Sequence, residues 1–343
     1  MVSTSPAKFK EKVSVMSTII LGIHGLGNKP PKKLLARWWH DALADGLRAI
    51  GHPKRFFRFK LVYWAHHLYP KPLDPDVKDK KNPLYVDTPY VPASPVTGRR
   101  PENLRTKVLN YIERQLYKII LAEDLSLNYA SVTDLIIRRY FRDLDIYYTK
   151  QCRDSKNNLR QARDVIRDDL ARALRKYKRK DILLIGHSMG SIIAYDVLTQ
   201  SVPDIRIHTL VTMGSPLGLP VVMRKILSEQ RKKPQKHITV STPANIAEAW
   251  YNFSDPQDKV ATQYNLSEDY EPNSRHISTT DIVVHNDYQY GGKHNPHCVY
   301  GYLETPAVSH VIHDFLNAGR PKVLNWVRDE INYVLGKVRE HKQ

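Results

Sequence analysis

Apolar residues along this chain follow two rhythms. Ile19–Ile23 and Ile182–Ile185 are short runs with almost no polar position, the pattern of strands buried on both faces. Between and after them the apolar positions recur at helical spacing. Leu34, Trp38, Trp39, Leu43 and Leu47 predict a helix over 33–50, and Leu159, Ala162, Ile166, Leu170, Ala173 and Tyr177 predict another over 159–177. Phe57, Phe59, Leu61 and Tyr63 alternate, so a strand is expected there. Ile205–Met213, Ala247–Phe253 and Asp281–Val284 read as further strands. Strands alternating with helices predict an α/β fold with a mostly parallel central sheet and helices on both faces.

That alternation is interrupted once. Between Pro70 and Pro101 there are eight prolines and few aliphatics, which predicts a long irregular loop. Two helical stripes follow, Leu104–Ile119 and Leu135–Tyr147. Residues of about 65–155 are therefore expected to form a partly helical insertion, either packed as core or capping a site. Residues 1–15 read as a loose leader, with Met16 as a second candidate start. Leu324, Val327, Ile331, Val334 and Val338 predict an extra C-terminal helix at about 321–341. The run Ile19–Ile23 follows several lysines but lacks a small-residue cleavage site, so it is read as a strand and not as a signal peptide. No run of 18 apolar residues exists, so the pattern offers no spanning helix.

Composition adds two constraints. The 343 residues carry 53 Lys+Arg against 35 Asp+Glu, a net charge of +18. Such a surface suits peripheral contact with anionic membrane or another polyanion, or serves solubility alone. No nucleic-acid-binding signature is present, so nucleic acid is not an expected partner. With only Cys152 and Cys298, a disulfide framework is not expected and a reducing cytoplasmic setting fits.

Candidate chemistry begins at Gly186-His-Ser-Met-Gly190. Ser188 falls where a buried strand becomes an apolar helix, with glycines at both sides to relieve crowding at a tight corner. A serine hydroxyl needs a base within reach, and that base needs an orienting acid. Downstream, Ser254-Asp-Pro-Gln-Asp-Lys-Val-Ala261 ends a strand with two acids, Asp255 and Asp258. His285, His294 and His297 follow. The triplet His294-x-x-His297-Cys298 also resembles a metal set, but no convincing fourth ligand accompanies it, so no metal is expected.

GHSMG resembles the nucleophile elbow of the α/β-hydrolase superfamily, in its lipase and esterase branch. The Asp-x-Val-Ala ending is similar to the acid turn of that family, and Asn295-Pro-His-Cys-Val-Tyr-Gly-Tyr-Leu303 to its histidine loop. The resemblance implies Ser188 as nucleophile, Asp258 as acid with Asp255 as rival, and His297 as base ahead of His294 and His285. His24-Gly25-Leu26-Gly27-Asn28 resembles the family's oxyanion loop. It implies Leu26 and Met189 as backbone donors, with Gly25, Gly27, Gly186 and Gly190 shaping the two turns. The resemblance covers residues 17–65 and 157–318 in outline, within an α/β-hydrolase domain expected over 16–343. Its lid position differs, since the insertion precedes the elbow. The implied activity is cofactor-free cleavage of carboxylic esters, lipid or smaller, through an acyl-enzyme. Acyl transfer or thioester hydrolysis would use the same residues, and a non-catalytic basic binding protein on this scaffold is the other class.

Overall fold

The computed structural model describes residues 17–54, 56–92, 146–154, 156–219, 222–223, 225–227, 240–261 and 265–318. The expected leader, most of the two insertion stripes and the C-terminal helix lie outside them.

Six strands form the central sheet: β1 (Thr18–Ile23), β2 (Phe59–Val62), β3 (Asp181–His187), β4 (Ile207–Met213), β5 (Ile246–Ser254) and β6 (Thr279–Val283). Their order is β6-β5-β4-β3-β1-β2, and every neighbouring pair is parallel. Among the described residues, the helices that cover it include α1 (Lys32–Ala49), α2 (Ala162–Tyr177), α3 (Met189–Asp196), α4 (Val299–Glu304) and α5 (Pro306–Asn317).

The uninterrupted apolar runs have a direct cause in this layering. Successive side chains of a strand point to opposite faces, so a strand covered on both sides needs apolar residues at every position. Ile19, Leu21 and Ile23 of β1 join Ile182 and Leu184 of β3 in one core, against α2 and α3. Ile20, Leu183 and Ile185 face the other core, built on α1, α4 and α5. Helix α1 buries Leu35, Trp39, Leu43 and Leu47, one stripe at helical spacing.

Helix α2 begins later than its apolar pattern suggests. Residues 159–161 pair antiparallel with 151–153, and Leu159 is 62% exposed. The Asp154 carboxylate accepts the N–H groups of Lys156 and Asn158 and closes that hairpin, with Asn157 at φ 67°. The local side-chain turn thus outcompetes one more helical turn. Just before the hairpin, Tyr147 is buried and donates to Asp196 at 3.0 Å, where Arg163 also pairs at 3.2 Å. That contact fastens the returning chain to the end of α3. Residues 70–92 hold no strand beyond an isolated bridge between Asp74 and Tyr85. Among the described residues, no helix is long and apolar enough to cross a membrane.

The strand order reverses between β1 and β3. From β1 the chain moves outward to β2, and from β3 it moves outward the other way. A parallel sheet opens a crevice beyond the carboxyl ends of the strands at such a reversal. The residues that leave β1 and β3 there are His24–Asn28 and Ser188.

Candidate active site

Ser188 joins β3 to α3 with φ 55° and ψ −127°. A non-glycine residue in that region stores about 1–3 kcal/mol of strain, held by its surroundings. Three contacts hold it here. Its N–H donates to the Met213 carbonyl at 3.0 Å. A side-chain carbon on Gly186 would stand 2.9 Å from Ser191 Cα, and one on Gly190 would run into the Ile23 carbonyl oxygen. Only hydrogen at both positions lets α3 start hard against the ends of β1 and β3.

The β1 loop reaches the same corner. A side-chain carbon on Gly25 would lie 2.7 Å from Ser188 Cβ and 3.2 Å from its Oγ, so the bare backbone of the loop packs on the serine. Gly27 takes φ 78° and turns the chain back. The loop is fixed from behind by His24. Its Nε2 accepts the Trp64 N–H at 3.1 Å, its Nδ1–H therefore donates to the Gly25 carbonyl at 2.8 Å, and its own carbonyl accepts Trp64 Nε1–H at 2.9 Å. The imidazole and indole stack at 4.8 Å. Lys29 Nζ caps the Leu26 carbonyl. On the other side Met189 begins α3, where the first N–H groups have no helical partner and the dipole favours negative charge.

Burial, then the nearby Lys29 charge, lowers the His24 pKa from 6.5 to about 3. The ring is thus neutral when folded and protonates in the unfolded chain below about pH 6.5. Its contribution to stability is complete above that value and is lost as pH falls toward 3, a swing of several kcal/mol. Urea unfolding between pH 7.5 and 4 should show this acid slope, reduced in His24→Gln. An identical slope in the variant would assign the acid sensitivity to other groups.

The candidate acid and base come from beyond the far strands. Asp258 follows β5 and His297 precedes α4. His297 Nδ1 lies 2.9 and 2.8 Å from the two Asp258 oxygens. The same carboxylate accepts the Val260 N–H at 2.9 Å and the Tyr302 hydroxyl at 2.8 Å. Burial and then Asp258 push the Tyr302 pKa well up, so it remains a donor. With Nδ1 facing a carboxylate, the Nδ1–H tautomer is set and Nε2 is the basic position.

Asp255 has a different duty. It accepts the N–H groups of Gln257 and Asn286, both at 2.6 Å, and so ties the end of β5 to the chain after β6. Burial raises its pKa. His294 Nε2 meets the Asn286 carbonyl at 2.8 Å, and His285 is exposed. Cys298 is buried, with its thiol pushed up to about 12 by desolvation. His294, His297 and Cys298 therefore have separate partners and environments and do not converge as ligands.

Two residues in the site carry no chemical signal in the sequence. Gly214 leaves β4 at φ 53°, and a side-chain carbon there would lie 2.8 Å from Asp258 Oδ2 and 3.0 Å from His297 Nδ1. His187 is buried beside the serine. Its Nε2 donates to the His297 carbonyl at 2.8 Å, and the two rings lie 4.8 Å apart. Burial holds its pKa well below 6.5, so it stays a neutral prop for the histidine loop. Among the described residues, no hydrogen bond joins Ser188 Oγ to His297. Such contacts are often long before substrate binds.

If the Asp258–His297 pair serves turnover, Gly214→Ala should lower kcat by about 100-fold, because the new methyl must displace the pair and a misplacement near 1 Å costs that much. KM should change little. A wild-type kcat would mean that the pair does not need its present position.

Residues 127–290 match the family described as PGAP1-like alpha/beta domain. That match and the six-stranded parallel sheet are consistent with the α/β-hydrolase fold. The matched span includes Ser188 and Asp258; the Gly25–Leu26 loop precedes it and His297 follows it. Among solved structures the chain is similar to a lipase-esterase related protein from Clostridium acetobutylicum ATCC 824, at 14% identity and a TM-score of 0.31, over 88% of this chain and 96% of that one. No curated protein matches the chain. The carboxyl ends of β1, β3, β4 and β5 thus deliver a glycine-rich loop, a serine, a second glycine turn and an acid to one end of the sheet, and the segment before α4 adds the histidine.

Proposed function

We propose that this α/β-hydrolase-fold chain is a serine hydrolase that cleaves carboxylic esters through an acyl-enzyme on Ser188. The observation that carries the reading is the strained Ser188, with bare Gly25 against its hydroxyl and the adjoining β4 turn, Met213–Gly214, linking it to the Asp258–His297 pair. A strained nucleophile position is stable only where the surroundings over-determine it.

In this mechanism His297 Nε2 takes the Ser188 proton as Oγ attacks the ester carbonyl carbon. Asp258 stabilises the imidazolium through Nδ1–H. The oxyanion is met by the backbone N–H groups of Leu26 and Met189, each worth about 3 kcal/mol in the transition state. Collapse returns the proton to the departing alcohol, and water then releases the acid by the same route. Gly25, Gly27 and His24 set the donor loop, while Gly186 and Gly190 set the elbow.

A fluorophosphonate probe tests the reading directly. The expected adduct is on Ser188, found by peptide mass spectrometry, with simultaneous loss of p-nitrophenyl ester turnover. A folded protein that stays unlabelled at Ser188 would place the chain among non-catalytic users of the scaffold.

A further inference from the structure

A second cluster of chemically capable side chains begins directly after Trp64. After β2, the 3₁₀ turn Ala65–His67 presents two consecutive imidazoles, with ring centroids 3.9 Å apart. Asp169 approaches them from the middle of α2, and its Oδ2 is 2.7 Å from His67 Nε2. One ligand atom from each of His66, His67 and Asp169 lies within 4.8 Å of the others. Tetrahedral zinc bonds of about 2.0–2.2 Å place neighbouring ligand atoms roughly 3.3 Å apart, so small side-chain rotations would close the set. The His67 and Asp169 side chains are 8% and 18% exposed, and His66 is open to solvent. Such a site is shielded on one side and accessible on the other.

We propose that His66, His67 and Asp169 bind one divalent transition-metal ion of the zinc type, with the remaining position open to water. Two imidazole nitrogens and one carboxylate oxygen favour zinc, nickel or copper ions. Calcium and magnesium require more oxygen ligands than the cluster provides. Arg172 bonds the other Asp169 oxygen, Oδ1, at 2.5 Å. It orients the carboxylate so that Oδ2 faces the histidines, while its charge opposes a cation. The metal would replace the single His67–Asp169 hydrogen bond with a clamp between the β2 exit and α2. Trp64, one residue before the turn, holds both the ring and the carbonyl of His24. Occupancy would therefore stiffen the support of the Gly25–Leu26 loop. This inference does not depend on the ester-hydrolase reading.

The experiment is zinc titration of the untagged, chelator-treated full chain by calorimetry, with bound metal counted after dialysis. About one equivalent should bind with a micromolar or lower Kd, and zinc should raise Tm. His66→Gln, at an exposed position, and Asp169→Asn should each weaken binding at least tenfold, and His67→Ala likewise. His297→Ala should leave binding unchanged, and Arg172→Gln should leave it unchanged or tighter. Circular dichroism would confirm that each variant is folded, and the exposed His66 change keeps the test valid if a buried one is not. No binding at 100 micromolar zinc (about a hundred times the expected Kd), equal affinity in His66→Gln, or loss in His297→Ala would each overturn the site.

Discussion

Ser188→Ala is expected to lower kcat toward ester substrates by about 10⁴-fold or more while leaving the protein folded. The magnitude follows from the proposed mechanism: nucleophile and base would act as a unit, so removing the hydroxyl removes the whole covalent route. What remains is binding and the backbone donors of Leu26 and Met189. Folding should survive because the hydroxyl makes no bond on which the corner depends; the corner is held by the Ser188 N–H on Met213 and by the close approaches at Gly186 and Gly190. Ser188→Gly separates chemistry from strain. Glycine adopts φ 55° without penalty, so this variant should be equally inactive yet about 1 kcal/mol more stable. Active-site titration and urea unfolding of the two variants would decide the matter. Retained turnover in Ser188→Ala would remove Ser188 from the chemistry, and a Ser188→Gly protein less stable than wild type would remove the strain argument.

That corner was also the most legible part of the chain. Four aliphatics, two glycines around a serine and an apolar helix are local features, and burial on both sheet faces explains why the aliphatics are uninterrupted. The same applies to β1 and α1, whose patterns extend almost to their observed ends. Legibility fails where a contact between distant segments decides. Leu159 fits the α2 stripe by spacing, yet the Asp154 turn draws it into a hairpin and leaves it exposed. The strand order is equally invisible, because β1 and β3 are separated by about half the chain and pair through register alone. Gly214 and His187 serve the site only because β4 and the histidine loop meet there. His66 and His67 are adjacent, but nothing local announces Asp169, which α2 brings to them.

Asp258→Asn should cost kcat about 10⁴-fold, whereas Asp255→Asn should act mainly on stability. Both acids lie in one turn, both are buried, and both accept a backbone N–H two residues on. Spacing alone does not separate them. Their partners do. Asp258 meets His297 Nδ1 and the Tyr302 hydroxyl, so an amide there can donate to Nδ1, favour the wrong tautomer and leave the imidazolium without its counter-charge. Asp255 touches backbone N–H groups of Gln257 and Asn286 instead. Its carboxylate oxygens are acceptors for the turn, and an amide nitrogen would face one N–H donor with another. Loss of such a buried bond costs roughly 1–3 kcal/mol. His297→Ala should match Asp258→Asn or exceed it, since it deletes the base itself. Tyr302→Phe removes one of the bonds that orient Asp258 and should lower kcat by about tenfold, consistent with a loss near 1.4 kcal/mol. The readouts are kcat for each variant and the urea midpoint for each. An Asp255→Asn enzyme as inactive as Asp258→Asn, with an unchanged midpoint, would move the orienting role to Asp255.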